Sequence, residues 1–158
     1  GADFRLADAS GQARSLADFR GKVTVLFFGY THCPDVCPTT LADMAQVMRM
    51  LDQQAGRVQV LFVTLDPERD TAAMLGQFVP AFHPSFMGLR GDAQATAEAA
   101  KAFGVAYQKQ VNKNGYTLDH SAGSYLISPD GKHVLLAPYG QRAELLAQDI
   151  SLLLASAR

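Results

Sequence analysis

The order of apolar and polar residues along the chain predicts strands that alternate with helices. Residues 23–28 and 57–65 are largely apolar runs of strand length, which is typical of strands buried on both faces. Between them, over residues 38–54, apolar side chains recur every three or four positions, the pattern of an amphipathic helix. We therefore expect a strand, helix, strand unit in which the two strands are parallel.

Turn residues and shorter periodic segments predict the rest of the fold. The further predicted elements are a hairpin over residues 4–19, a helix that ends near Pro80, a strand over 86–89, an Ala-rich helix over 92–103, a strand over 105–111, a hairpin with strands over 124–127 and 133–136, and a helix over 143–154. This is the element order of the thioredoxin fold. We expect one α/β domain over residues 1–158, a thioredoxin-like fold with an N-terminal β-hairpin and an inserted helix and strand segment.

Composition and charge exclude several classes of protein. With 158 residues, of which 48% are hydrophobic and 18% charged, the chain can bury a core without disulfide staples. The 14 basic and 15 acidic residues are scattered, which argues against a surface for nucleic acid or an anionic membrane. The longest apolar stretch, residues 23–30, is far shorter than the roughly 20 residues that cross a bilayer. Because the chain opens with Gly1 and Ala2 rather than Met, we expect a mature form from which a targeting segment has been removed.

The two cysteines, Cys33 and Cys37, are the first candidates for chemistry. They lie where the first predicted strand passes into a helix, and the positive end of a helix dipole favours thiolates. Residues four apart on a helix have Cβ atoms about 5–6 Å apart, close enough for a disulfide after slight closure. The pair is too small for a disulfide scaffold or an iron–sulfur cluster. We therefore predict a redox-active pair or a metal site.

The spacing of the cysteines separates this pair from common alternatives. Haem attachment requires C-x-x-C-H and common dithiol oxidoreductases use C-x-x-C, whereas this motif is C-x-x-x-C. The chain has no Trp, which weakens a glutathione-peroxidase interpretation without removing it. Two inert, buried thiols are the remaining alternative, and prolines beside both cysteines at a strand-to-helix turn argue against it.

A metal held by two thiolates needs a further ligand, and His120 is the best candidate. It lies in a predicted loop over residues 118–123, just before the strand expected to pair with the first strand, at the edge where such folds bind ligands. The alternative is a loop histidine satisfied by water or backbone. Asp119 could orient the imidazole ring without itself binding the metal. His83 and His133 fit a solvated surface role. His32 is next to Cys33 in the sequence, but its side chain can point away from that cysteine.

Two thiolates and an imidazole suit Cu(I), which accepts low coordination. Zinc would require a fourth ligand, which Asp66 or a water molecule could supply. Asp70 and Thr71 follow the second predicted strand, and we interpret both as residues that start the next helix.

Three stretches of the sequence resemble the signature motifs of the Sco (SenC) family. They are residues 29–39 (Gly-Tyr-Thr-His-Cys-Pro-Asp-Val-Cys-Pro-Thr), residues 65–71 (Leu-Asp-Pro-Glu-Arg-Asp-Thr) and residues 119–121 (Asp-His-Ser). They occur in the family's order and approximate spacing, and the resemblance spans nearly the whole chain. The resemblance implies a thioredoxin-like fold and a site for copper, as Cu(I) or Cu(II).

The resemblance also implies which residues bind the metal and what the protein does. The copper ligands would be Cys33, Cys37 and His120, with Asp66 near the metal. The role would be to assemble the dinuclear copper centre of cytochrome c oxidase subunit II. An N-terminal membrane anchor is implied as well. We therefore expect a trimmed domain that faces the bacterial periplasm, rather than the mitochondrial intermembrane space, and is tethered to the inner membrane in the full-length protein.

Three activities of these residues stay open from the sequence. A copper metallochaperone would deliver its ion to subunit II by ligand exchange. A thiol-disulfide oxidoreductase would instead reduce the cysteines of that centre before metallation. A redox or copper sensor would use the same residues without delivery. The expected partners are subunit II and, in addition, another periplasmic copper chaperone or a thiol reductant.

Overall fold

A five-stranded mixed sheet with helices packed on it forms the centre of the computed structural model, which describes residues 2–32, 36–120 and 123–156. The elements in chain order are β1 (Leu6–Ala7), β2 (Ala13–Arg14), β3 (Val23–Gly29), α1 (Val36–Leu51), β4 (Val58–Thr64), α2 (Ala72–Phe78), β5 (Met87–Leu89), α3 (Ala93–Ala102), β6 (Tyr107–Asn112), β7 (Gly115–His120), β8 (Ser124–Ile127), β9 (Val134–Ala137) and α4 (Ala143–Ser156). Short 3₁₀ helices follow β2 and α1.

The strand order of the central sheet is β5-β4-β3-β8-β9. The strands β3, β4 and β5 are parallel, whereas β8 and β9 are antiparallel to their neighbours. The predicted β3, α1, β4 unit is therefore confirmed, as is the mixed α/β class. Because β3 and β4 are parallel, the residues that follow both strands lie at the same edge of the sheet.

Continuous apolar sequence explains why β3 and β4 occupy the middle of the sheet. Every residue of both strands is buried, and the rings of Phe27 and Phe62 on neighbouring strands meet edge to face with centroids 5.3 Å apart. Each fully buried side chain of this size contributes about 1.5–3 kcal/mol. On β5, a Cβ at Gly88 would lie 3.1 Å from the Cβ of Leu75, so glycine allows α2 to pack closely against the sheet.

Two differences from the predicted elements bear on the site. The first predicted helix ends at Leu51 and continues only as a 3₁₀ segment over Asp52–Arg57. More importantly, β7 forms an antiparallel hairpin with β6, so that His120 ends a strand and pairs with Tyr107. The prediction that His120 lies in a loop is therefore wrong. The short strand was missed because it begins at Gly115 and alternates polar with apolar residues only briefly.

The strands β6 and β7 form a two-stranded sheet of their own. A second two-stranded sheet, made of β1 and β2, confirms the hairpin predicted near the N-terminus. Among the described helices, none combines the length and apolar character needed to cross a membrane.

Candidate metal centre

Two of the predicted metal ligands belong to elements near the edge of the sheet where β3 ends. Cys37 occupies the first turn of α1, the helix that follows β3, and His120 is the last residue of β7. Cys33 lies outside the described residues, and the side chains of Cys37 and Asp119 also lie outside them. The predicted roles of these three residues remain predictions.

His120 packs against the segment that leads into the cysteine motif. Its imidazole meets the ring of Tyr30 edge to face, with centroids 5.9 Å apart and planes at 76°. Tyr30 is buried and stands three residues before Cys33 in the sequence. The Tyr30 hydroxyl also accepts a hydrogen bond from the backbone N–H of Leu118 at 3.1 Å. The half-buried histidine is thus held beside Tyr30, in the segment that precedes the two cysteines.

Asp70 fixes the backbone just before the cysteine motif. Its carboxylate is fully buried and accepts hydrogen bonds from the Thr31 N–H at 3.0 Å, the Thr31 hydroxyl and the Thr64 hydroxyl at 2.6 Å. The interpretation of Asp70 as a helix-start residue is therefore wrong. That of Thr71 is confirmed, because its hydroxyl accepts the N–H of Met74 at 3.2 Å and caps α2.

Asp66 anchors the β6–β7 hairpin to the loop after β4. One carboxylate oxygen pairs with Nε of Arg69, and the other accepts the hydroxyl of Tyr116 at 2.7 Å. The guanidinium of Arg69 donates to the backbone carbonyl of Tyr116 at 2.9 Å and lies 3.7 Å from the centre of its ring. Sequence reasoning missed Arg69 and Tyr116. The available signal was the alternation of Tyr116 with Leu118 and His120.

The surroundings hold Tyr116 and Arg69 in their protonated forms. Burial and the hydrogen bond to the Asp66 carboxylate raise the pKa of Tyr116 to about 12. For Arg69, burial alone would lower the pKa, but the hydrogen bond and charge of Asp66 outweigh it and raise the pKa above its ordinary value. At neutral pH Tyr116 is therefore a hydroxyl donor and Arg69 is a cation.

A second group of potential ligands lies at the same edge. Within the described part of the chain, ligand atoms of His32, Asp66 and Asp70 all lie within 4.8 Å of one another. The His32 side chain is 47% exposed, whereas both carboxylates are buried and accept the hydrogen bonds given above. Those bonds account for the two acidic side chains, and we assign no ion to this group.

The remaining histidines have local roles. The side chain of His133 is exposed, as predicted. Its backbone N–H donates to the Ser128 hydroxyl at 3.0 Å within the β8–β9 turn. His83 is half-buried, and its Nδ1 accepts the N–H of Ser85 at 3.2 Å. The ring of His83 stacks on Phe86 with centroids 5.1 Å apart.

Comparison with known proteins gives consistent similarities over nearly the whole chain. The sequence profile of the SCO1/SenC family matches residues 1–155. The protein SCO2 homolog, mitochondrial, of Bos taurus is 43% identical over 150 residues, which are 92% of this chain and 55% of that protein. The chain spans about half the length of the curated relatives it matches.

Two solved structures with copper bound have closely similar folds. The ScoI protein of Arabidopsis thaliana has a TM-score of 0.91 at 31% identity, covering 99% of this chain and 98% of that chain. The ScoI protein of Bradyrhizobium japonicum has a TM-score of 0.87 at 38% identity, covering 96% of this chain and 98% of that chain. The expected thioredoxin-like fold is confirmed.

Proposed function

Because the chain belongs to the SCO1/SenC family, we propose that it binds one copper ion through Cys33, Cys37 and His120 and delivers it to the dinuclear copper centre of cytochrome c oxidase subunit II. The observation that carries the proposal is the packing of the His120 ring on Tyr30, the residue that leads into the cysteine motif. The copper-bound ScoI structures from Arabidopsis thaliana and Bradyrhizobium japonicum support the choice of metal.

The donor set fits copper better than zinc. Two thiolates and one imidazole are soft or intermediate ligands, and three of them satisfy Cu(I), whereas zinc prefers four. Asp66 is the side chain that could give zinc a fourth donor, the alternative being water, yet both of its oxygens accept hydrogen bonds from Arg69 and Tyr116. Recruiting Asp66 to a zinc ion would break those bonds, which supports the proposal of three ligands and copper.

Delivery requires that a partner's ligands reach the ion while this chain's ligands leave. His120 is only half-buried, and His32, next to Cys33, has a 47% exposed side chain. We infer that incoming thiolates and imidazoles replace the three ligands one at a time, so the copper never becomes free in solution.

We propose two supporting roles around these ligands. Asp66 holds the hairpin that carries His120, through its bonds to Arg69 and Tyr116. Asp119 would orient the imidazole by accepting a hydrogen bond from the N–H of the ring nitrogen that does not bind copper.

The proposed location is the bacterial periplasm, with a tether to the inner membrane in the full-length protein. The resemblance to the Sco family implies this location, and the similar proteins include ScoI of Bradyrhizobium japonicum as well as a mitochondrial SCO2 homolog. An upstream copper chaperone or a thiol reductant would load or reduce the site there.

Substitution of His120 tests the ligand set. In a Cu(I) competition titration, His120→Ala is expected to weaken binding by more than the roughly tenfold that loss of an outer hydrogen-bond partner costs. His133→Ala, which removes an exposed histidine, is the matched control and leaves affinity unchanged. X-ray absorption of the protein with one copper equivalent is expected to show two sulfur ligands and one nitrogen. An unchanged affinity in His120→Ala would remove His120 from the site.

A second activity, reduction of the target's cysteines, is favoured by the place of Cys37 in the first turn of α1. A thiolate there gains from the helix dipole, as resolving and attacking thiols do in disulfide exchange. In the reaction, one thiolate attacks the target disulfide to form a mixed disulfide. The second thiolate then displaces the target's sulfur, which leaves this chain oxidised and the target reduced. Thiol trapping of reduced protein mixed with oxidised subunit II domain tests it: of Cys33→Ser and Cys37→Ser, the variant that keeps the attacking thiolate should accumulate the mixed disulfide.

A further inference from the structure

We propose that Asp66, Arg69 and Tyr116 form a clamp that sets the position of His120 and so raises copper affinity without contacting the ion. The proposal rests on the proposed function, because the clamp affects copper only if His120 is a ligand. Arg69 and Tyr116 are therefore positioning residues.

The hairpin that carries His120 depends on side-chain contacts for its position. Among the described strands, β6 and β7 pair only with each other. An isolated two-stranded hairpin is marginally stable in water, so contacts with the rest of the protein have to fix it. Five of the six β6 residues are exposed, which leaves β7 as the attached strand. Tyr116, Leu118 and His120 share one face of β7, because side chains alternate along a strand.

The clamp closes a ring of contacts around Tyr116. The Tyr116 hydroxyl donates to Asp66 at 2.7 Å, and its backbone carbonyl accepts Nη1 of Arg69 at 2.9 Å. Arg69 in turn pairs with the second oxygen of Asp66. Both ends of Tyr116, its hydroxyl and its backbone, are thus held by two residues of one loop. This geometry restrains rotation of the hairpin as well as its distance from the sheet.

Two cations also lie over the Tyr116 ring. The guanidinium of Arg69 is 3.7 Å from the ring centre and the ammonium of Lys109, on β6, is 4.0 Å from it. The same guanidinium is 5.8 Å from the centre of the Tyr30 ring, against which His120 packs. Arg69 therefore touches the hairpin and also the aromatic surface on which the histidine rests.

The clamp carries a cost to stability. Nη2 of Arg69 is buried and has no hydrogen-bond partner among the described residues. A desolvated, incompletely paired cation is unfavourable compared with an apolar side chain of similar size. Packing alone therefore does not explain an arginine at this position, whereas its bonds to Asp66 and Tyr116 do.

The clamp acts on His120 through the strand. Tyr116 and His120 are four positions apart, a span of about 13 Å along an extended chain. If Tyr116 is released, β7 can tilt about the bond between Leu118 and Tyr30, and the imidazole then samples positions away from the thiolates. Binding copper would require that freedom to be lost, which lowers affinity.

A double-mutant cycle with His120 tests the clamp. Cu(I) affinity is measured by competition with a chromophoric chelator in Arg69→Leu, Tyr116→Phe, His120→Ala and Arg69→Leu/His120→Ala. Arg69→Leu is expected to weaken binding by about tenfold, as for an outer-shell partner, and Tyr116→Phe by less. In the His120→Ala background, Arg69→Leu should cause no further loss. The matched control is Tyr125→Phe, which removes another hydroxyl bond, 2.6 Å to the Phe103 carbonyl, and should leave affinity unchanged.

Each result bears on one of the two proposals. If Arg69→Leu does not fold, as judged by near-ultraviolet circular dichroism, Arg69→Lys and Tyr116→Phe replace it in the cycle. Unchanged affinity in the clamp variants, together with a loss in His120→Ala, overturns the clamp and keeps the ligand role. An equal loss with and without His120 also overturns it, since the residues would then act by another route. If His120→Ala itself retains full affinity, the ligand role fails and the clamp fails with it.

Discussion

The hydroxyl oxygen of Tyr30 lies 3.1 Å from the backbone nitrogen of Leu118 and accepts its hydrogen, a bond between residues 88 positions apart in the sequence. It joins the end of β3 to the middle of β7. Tyr30 thereby contacts both the segment before Cys33 and the strand that ends at His120. One buried tyrosine thus links the two parts of the chain that contribute the proposed copper ligands.

Removing that hydroxyl should loosen the hairpin. Tyr30→Phe leaves the buried N–H of Leu118 without this acceptor, which costs about 1–3 kcal/mol of unfolding free energy. Urea denaturation measures the loss, and amide hydrogen exchange at Leu118 should become faster. Tyr139→Phe is the control, because Tyr139 is 46% exposed and its change should have little effect. Unaltered exchange at Leu118 would contradict the assigned bond.

Asp70 should be sensitive even to an isosteric change. Asp70→Asn replaces one acceptor oxygen by an NH₂ group that faces the donors Thr31 or Thr64, and we expect a loss of about 1–3 kcal/mol in unfolding free energy. Glu98→Gln, a similar change on the exposed face of α3, should stay within about 0.5 kcal/mol. Chemical denaturation compares the two. Equal stabilities would show that the buried charge is not needed.

At the N-cap of α3, substitution of Asp92 by alanine should reduce stability more than substitution by glycine. The Asp92 carboxylate accepts the N–H of Ala95 at 2.7 Å at the start of α3. Asp92→Ala should lower stability by about 1 kcal/mol, and Asp92→Gly by only a few tenths. Thermal unfolding of both variants measures the difference, and Cu(I) affinity should be unaffected in each. A larger loss for glycine than for alanine would argue against a capping role.

The N-terminal hairpin should lose stability in acid. The Ser10 hydroxyl, with further help from Arg14, lowers the pKa of Asp8 from 3.8 to about 2. Because the folded-state pKa lies below the unfolded value, the charged carboxylate stabilises the fold above pH 4, and this contribution is lost as the pH falls towards 2. The stability gap between the native protein and Asp8→Asn should therefore shrink between pH 5 and pH 2. Urea titrations at several pH values measure it, and a constant gap would exclude this role.

The sequence predicted the centre of the fold because buried parallel strands leave an unmistakable pattern. β3 and β4 are continuous apolar runs, and only an interior position explains them. β7 escaped prediction because a half-buried hairpin of six residues has too few alternations to distinguish it from a loop. Register and pairing of such a hairpin are decided by contacts with distant segments.

Some residues of the candidate site could likewise be predicted from the sequence, and others could not. Cysteine spacing and one histidine could be proposed from local sequence chemistry, since ligand type and spacing limit the metal. The role of Asp70 could not be predicted from local sequence. An aspartate whose buried carboxylate binds Thr31 looks the same in the sequence as one that starts a helix. The contacts of Tyr116 with Asp66 and Arg69 join segments 50 and 47 residues apart. The sequence pattern around Tyr116, and that around Asp66 and Arg69, contains no feature that predicts these contacts.

The turn that joins β6 to β7 is exposed and lies at the end of the hairpin away from His120. Asn114 donates its N–H to the side chain of Asn112, and Gly115 follows with a φ of 121°, a conformation that favours glycine. Extra residues inserted at this tip would add only a small loop-closure cost. New recognition loops for different target proteins could therefore be grafted or evolve there while ion coordination stays unaltered.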